Sequence, residues 1–109
     1  MTEVALTLAD MVGGWFVGDF DPSVVKTRDF EVGVKHYRAG ARDPAHYHKI
    51  AREITVVVSG TVRMLDKVWE AGSIVVIPPG VPNEFEAITD ATLTIVKIPS
   101  ARNDKYLVE

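Results

Sequence analysis

The feature that most constrains the fold of this chain is a series of short β-branched runs, each closed by glycine or proline. Residues 54–58 lead into Ser59 and Gly60, residues 73–77 end at a Pro-Pro-Gly sequence, and residues 91–98 end before Pro99. Runs of this kind are typical of strands, which glycine and proline interrupt. No window shows a strong helical period. The sequence therefore predicts a single all-β domain, a sandwich or barrel.

Composition excludes several classes of function. The 109 residues include no cysteine, so disulfides, thiolate metal sites and a cysteine nucleophile are impossible. The net charge is −3 and the basic residues are scattered singly, which argues against a nucleic-acid partner. No apolar run reaches the roughly 20 residues of a membrane span, and the first residues lack the basic start of a secretory signal. We therefore expect a cytoplasmic protein.

The residues that carry chemistry stand in the stretch GARDPAHYHKIAREITVVVSG. His46 and His48 are two apart, so on a strand they point to the same face. Glu53 heads the next run, and an antiparallel neighbour would bring its carboxylate beside the imidazoles. Two histidines and one carboxylate suit Fe(II), Mn(II), Ni(II) or Zn(II). The alternative is that the histidines are ordinary polar surface residues.

This stretch resembles the first motif of the cupin superfamily. The positions that carry the resemblance are Gly40, His46, His48, Glu53 and Gly60. A second cupin motif is matched by Gly72, Pro78 and Gly80, but Asn83 stands where the family usually has a third histidine, and Ala87 where it has an asparagine. The resemblance covers about residues 30–98.

The resemblance implies a jelly-roll β-barrel with its site inside. It divides the chain into an N-terminal arm or edge strand (1–29), a cupin core (30–98) and a C-terminal tail (99–109). His46, His48 and Glu53 carry over as ligands of a divalent metal, with Asn83 in the fourth position. The implied function is that of a dioxygenase or isomerase acting on a small polar molecule. Two alternatives remain open: a metal-free sugar-type ketoisomerase, in which His46 or His48 moves the proton, and a non-catalytic ligand-binding protein.

Three further predictions concern residues around this motif. His36 shares a face with Phe30, Val32 and Val34, and we expect it inside the barrel, as a hydrogen-bonded core histidine; Tyr37 should face the other way. Single arginines could bind an anionic substrate at the barrel mouth or simply be solvated: Arg38, Arg42 and Arg52.

The aromatic segment GGWFVGDF (13–20) is the other unusual stretch. Its three aromatic rings would be costly to leave in water. They could pack as an edge strand, lie at a subunit interface or cover one mouth of the barrel and stack on a substrate. Adding the segment to a partner's sheet would bury the rings and cover an open edge, so the sequence predicts a homodimer.

Overall fold

The computed structural model describes residues 5–109, so residues 1–4 of the predicted arm lie outside the described residues. One short 3-10 helix, Leu8–Asp10, precedes ten strands. The strands are β1 (Trp15–Val17), β2 (Glu31–Tyr37), β3 (Arg42–Tyr47), β4 (Arg52–Ser59), β5 (Thr61–Met64), β6 (Lys67–Glu70), β7 (Ile74–Ile77), β8 (Asn83–Ala87), β9 (Ala91–Ile98) and β10 (Tyr106–Leu107). None of the described helices is long and apolar enough to cross a membrane.

The strands form two five-stranded sheets that face each other. The first has the order β1-β2-β9-β4-β7 and the second the order β10-β3-β8-β5-β6, and the pairs within them are antiparallel. Strands distant in sequence are neighbours in space, as in a jelly roll. The predicted all-β jelly-roll fold is confirmed.

Period-two alternation decides what each strand of the first sheet turns inward. In β4 the buried residues are Thr55 and Val57, and in β9 they are Ala91, Leu93 and Ile95. Val57 and the β9 residues pack against Val62 and Phe85 of the second sheet in one core cluster. One end of the space between the sheets is therefore filled by aliphatic side chains, and the predicted site lies beyond them.

The tight turn between β4 and β5 depends on Gly60. Its φ is +86°, a left-handed conformation that side chains disfavour. A Cβ atom at this position would also collide with the backbone of Asp90 and Ala91. Glycine is therefore required here by both conformation and space.

Candidate active site in the barrel interior

The two histidines of the motif are held by hydrogen bonds to backbone carbonyls. His46 lies near the end of β3, and its Nδ1 is 2.9 Å from the carbonyl oxygen of Pro44. His48 follows the same strand, and its Nδ1 is 2.6 Å from the carbonyl oxygen of Asp104. Because a carbonyl oxygen only accepts, each Nδ1 carries the proton. In the neutral rings both Nε2 atoms therefore keep a lone pair for a metal or a proton.

His48 and Glu53 face each other across the polar end of the interior. The distance from His48 Nε2 to Glu53 Oε1 is 3.9 Å, and both side chains are about nine-tenths buried. His48 Nε2 is buried and has no hydrogen-bond partner among the described residues. Burial lowers the pKa of His48, and the positive charge of Lys97 adds to that lowering. The ring is thus held as a neutral base.

His46 lies beside this pair. The ring centroids of His46 and His48 are 5.3 Å apart and the planes are nearly perpendicular, at 82°. Residues 5–109 contain no preassembled group of three or more histidine, aspartate or glutamate side chains that could hold a metal. The structure therefore brings His48 and Glu53 close together and places His46 next to them, and a three-ligand metal centre remains a proposal.

Asn83 occupies the first position of β8, opposite His46 in the register of the second sheet. It is buried, and its Oδ1 accepts a hydrogen bond of 2.8 Å from the backbone N–H of Leu65. The amide oxygen accepts this hydrogen bond with one of its two lone pairs and keeps the other. Because imidazole and carboxylate are the stronger donors for these metals, the proposed site depends on His46, His48 and Glu53, with Asn83 as a weaker fourth position.

A cavity of about 720 Å³ opens between the two sheets beside these residues. Its volume lies within the range of small-molecule sites. Residues with polar or charged side chains that line it are Lys35, His36, Tyr37, Asp43, His46, Glu53, Thr55, Asn83, Lys97 and Lys105. Trp15, Met64 and Phe85 contribute apolar and aromatic surface. The arrangement can hold a molecule that is partly polar and partly flat or apolar.

Solved structures of similar shape identify the fold. A protein with a double-stranded β-helix domain from Klebsiella pneumoniae matches with a TM-score of 0.71 at 22% identity, over 79% of this chain and 75% of that one. An RmlC-like cupin from Desulfovibrio desulfuricans matches with a TM-score of 0.59 at 27% identity, over 70% and 77% of the two chains. The chain has the cupin fold.

Enzymes share this cupin fold. A DMSP lyase from Ruegeria pomeroyi matches with a TM-score of 0.70 at 17% identity, over 84% of this chain but only 48% of the enzyme. No protein-family model matches the chain, and no curated protein is significantly similar to it in sequence. The likeness to solved structures confirms the resemblance to the cupin superfamily at the level of the fold, and chemistry must be argued from the site.

The face of β2 that lies inside the cupin barrel is the opposite of the predicted one. His36 is exposed and its Nδ1 lies 3.0 Å from Thr92 Oγ1, so the expectation of a core histidine is wrong. Lys35 and Tyr37 point inward instead, in register with the buried side of β9. The hydroxyl of Tyr37 donates to Asp43 Oδ2 at 3.3 Å, and burial raises the pKa of Tyr37. Tyr37 is therefore a neutral donor at the cavity wall.

The cationic residues of the cavity are lysines, which the sequence analysis missed. The three arginines considered for an anionic substrate are all exposed, and Arg42 pairs with Glu86 at 3.1 Å. Lys35, Lys97 and Lys105 line the cavity instead. A signal for Lys97 was present, because it has the same alternation phase as Leu93 and Ile95, which are core residues.

Asp104, in the C-terminal segment, fixes the turn that carries His48. Its carboxylate accepts backbone N–H groups from Lys49 at 2.9 Å, Ile50 at 3.1 Å and Ala51 at 2.9 Å. The same residue supplies the carbonyl that receives His48 Nδ1–H. No sequence pattern links position 104 to position 48, so this contact could not be predicted.

The aromatic segment 13–20 forms an edge of the barrel within its own chain. Residues of β1 pair with β2, with Trp15 opposite Gly33. The ring of Trp15 packs on that glycine, where a Cβ atom would lie 2.7 Å from it. Trp15 also lines the cavity, so it acts as an edge-strand residue and as part of the cavity wall.

Proposed function

We propose that this cupin binds a divalent transition metal and acts on a small polar molecule in its cavity. The ligands are Nε2 of His46, Nε2 of His48 and the carboxylate of Glu53, and the candidate metals are Fe, Mn, Ni and Zn. The observation that carries the proposal is the buried, partnerless Nε2 of His48, 3.9 Å from Glu53 Oε1. Two ligand atoms on one ion, each about 2.1 Å from it, lie at most about 4.2 Å apart.

The hydrogen bonds to Nδ1 support this assignment. Histidines that bind metals usually donate their other ring N–H to a carbonyl or carboxylate, which fixes the tautomer and the ring orientation. Both His46 and His48 do so here. A bound metal would polarise a substrate oxygen or activate dioxygen, which are the needs of isomerase and dioxygenase reactions. The likeness to a DMSP lyase supports catalysis in a barrel of this shape.

A metal-free proton transfer is the second candidate function. Burial lowers the pKa of His48, and its buried Nε2 has no hydrogen-bond partner among the described residues, so it is available as a base. This is the chemistry of a sugar-type ketoisomerase using the histidine pair. A non-catalytic ligand-binding cupin would use the same cavity without turnover.

Competitive titration of Ni(II) or Zn(II) against a chromophoric chelator separates these readings. We expect His48→Ala and Glu53→Gln each to weaken metal affinity by about tenfold or more, equivalent to about 1.4 kcal/mol. His36→Ala is the matched control, because His36 is the remaining histidine of the chain and is exposed. Equal affinities in the wild type and the His48→Ala variant would refute the metal site and leave the metal-free candidates.

We also propose that the protein is a homodimer. Since Trp15 packs within its own chain, segment 13–20 no longer supports a dimer. The outer face of the first sheet supports it instead. Large apolar side chains on that face are exposed: Val58, Ile74, Val76 and Ile98. A contiguous exposed apolar patch of this kind is typical of an interface.

A cytoplasmic location remains a prediction.

A further inference from the structure

Three lysines line the cavity, and the proposed metal site does not require any of them. Lys35 belongs to β2, Lys97 to β9, and Lys105 immediately precedes β10. They come from three separate strands or segments, yet they converge on one space. Lys35 and Lys97 are half-buried, whereas Lys105 is exposed. Half-buried ammonium groups cost free energy unless an opposite charge is close. Their convergence therefore indicates that the cavity binds an anion.

Trp15 holds two of these lysines in place. The Nζ of Lys35 is 5.1 Å from the centroid of the Trp15 ring, and the Nζ of Lys97 is 4.9 Å from it. The ring itself is seated on Gly33, the residue opposite it in β2. Cation–π contacts of this kind stabilise a cation without neutralising it. Two positive charges are thus fixed beside one flat aromatic surface.

The protein supplies few counter-charges to these lysines. None of the three ammonium groups lies within 4.0 Å of a carboxylate in residues 5–109. The acidic side chains that line the cavity are Asp43 and Glu53. Glu31 lies opposite Lys97 in the β2–β9 register, and Asp43 is the carboxylate that acts on Lys35. If Glu53 is committed to a metal, as we propose, the three lysines share these two carboxylates. Asp43 already accepts the hydroxyl proton of Tyr37.

The electrostatic state of Lys35 agrees with this imbalance. Burial lowers the pKa of Lys35, and the positive charges of Lys97 and Lys105 lower it further, against the opposing effect of Asp43. A bound anion would relieve both the burial cost and the mutual repulsion. Relief of the burial cost and of the repulsion between the lysines therefore contributes favourable free energy to the binding of an anion.

We propose that the cavity binds a small organic anion through a carboxylate group placed between Lys35 and Lys97, beside the Trp15 ring. The rest of the molecule extends along the cavity toward Glu53 and the histidines, where the reaction takes place. This inference deepens the proposed function by naming its substrate class, and it rests on that function for the reacting end. The lysine site itself requires no metal.

Fluorescence of Trp15 provides a local test on metal-stripped protein. Trp15 and Trp69 are the two tryptophans of the chain, so a Trp69→Phe background leaves Trp15 as the reporter. The probes are acetate, succinate and benzoate, with benzamide as the uncharged partner of benzoate, at constant ionic strength. We expect a saturable change in Trp15 fluorescence with at least one carboxylate and none with benzamide.

Lysine variants then assign the charge. We expect Lys35→Met and Lys97→Met each to weaken carboxylate affinity by about tenfold, the size of one charge-assisted contact. Lys35→Arg keeps the charge and should retain most of the affinity. Lys67→Met is the matched control, because Lys67 is exposed on β6 of the other sheet. Circular dichroism checks that each variant folds.

The outcomes separate the two proposals. Absence of a saturable response to all three carboxylates, equal binding of benzamide and benzoate, or an equal loss in Lys67→Met overturns the anion site. Carboxylate binding in a protein that fails to bind Ni(II) or Zn(II) supports the anion site and refutes the metal. Metal binding without carboxylate binding does the reverse.

Discussion

Replacement of Asp104 by alanine tests how the C-terminal segment supports the site. Asp104 is 5% exposed, and its carboxylate accepts hydrogen bonds from three consecutive backbone N–H groups, those of Lys49, Ile50 and Ala51. Alanine removes these acceptors but keeps the backbone carbonyl that receives His48 Nδ1–H. The substitution therefore releases the turn after His48 without deleting any atom that contacts the imidazole.

The expected loss of stability follows from the exposure of each donor. A hydrogen bond to a charged group contributes about 1.5–3 kcal/mol, and a buried donor left unpaired costs about 1–3 kcal/mol. Lys49 and Ile50 are exposed, so water can replace part of their loss, whereas Ala51 is buried. We expect Asp104→Ala to lower the free energy of unfolding by about 3 kcal/mol. Asp104→Asn keeps one acceptor oxygen and should cost about half as much.

Looser support of His48 should also weaken the proposed metal site. Changes to groups that orient a ligand typically cost about 10- to 100-fold in metal affinity, and we expect Asp104→Ala to fall in that range. Urea denaturation followed by tryptophan fluorescence gives the stability, and competitive Ni(II) titration of the folded variant gives the affinity. Asp29→Ala is the control, since Asp29 is exposed and its carboxylate makes no hydrogen bond or ion pair within residues 5–109.

Two results would refute this reasoning. If Asp104→Ala is no less stable than Asp29→Ala, the carboxylate does not hold the turn. If stability falls by about 3 kcal/mol but metal affinity is unchanged, the turn is structural only, and His48 is positioned by other contacts or is not a ligand.

Three shorter predictions test other parts of the molecule. Lys35→Met should raise the free energy of unfolding at neutral pH by about 0.5 kcal/mol. Because the folded-state pKa of Lys35 is lowered, wild-type stability should rise with pH between that pKa and the ordinary lysine value. Urea denaturation at several pH values should show a smaller rise in the variant. Asn83→His should raise Ni(II) affinity about tenfold and cost about 1–3 kcal/mol of stability through the lost bond to Leu65 N–H; unchanged affinity in the titration would place position 83 away from the metal. Ile74→Lys should convert a dimer to a monomer in light scattering whereas Val68→Lys on β6 should not, and a monomeric wild type at micromolar concentration would contradict the dimer.

The long strands were predictable because their composition and alternation agree. Residues 91–98 were predicted as a strand and form β9 with the same bounds. The run 54–58 lies inside β4, which begins two residues earlier at Arg52. In β9 one alternation phase is aliphatic and lies in the core, whereas β4 is predicted by its β-branched composition and buries Thr55 and Val57. Local pattern and tertiary packing therefore give the same answer.

The orientation of β2 could not be predicted, because both of its faces carry apolar or ambiguous residues. The phase of Val32 and Val34 is the more apolar, and the sequence favours it as the inner one. The structure turns Gly33 and Lys35 inward because Trp15 of β1 covers the glycine and fills the space beside it. A contact between two strands, rather than the strand's own sequence, decides which face is buried.

The polar end of the barrel is better explained by ligand binding than by folding stability. Glu53 and Lys97 are opposite each other in the β4–β9 register. They face inward, on the same side of the sheet as the core pair Val57 and Leu93. Charged side chains at such positions cost more free energy than apolar residues of similar volume. We therefore expect the double substitution Glu53→Leu, Lys97→Met to leave the barrel at least as stable as the wild type in urea denaturation, and to abolish both metal and carboxylate binding. A large loss of stability would mean that this pair of charges is structural, and that the cavity owes its polarity to the fold rather than to a ligand.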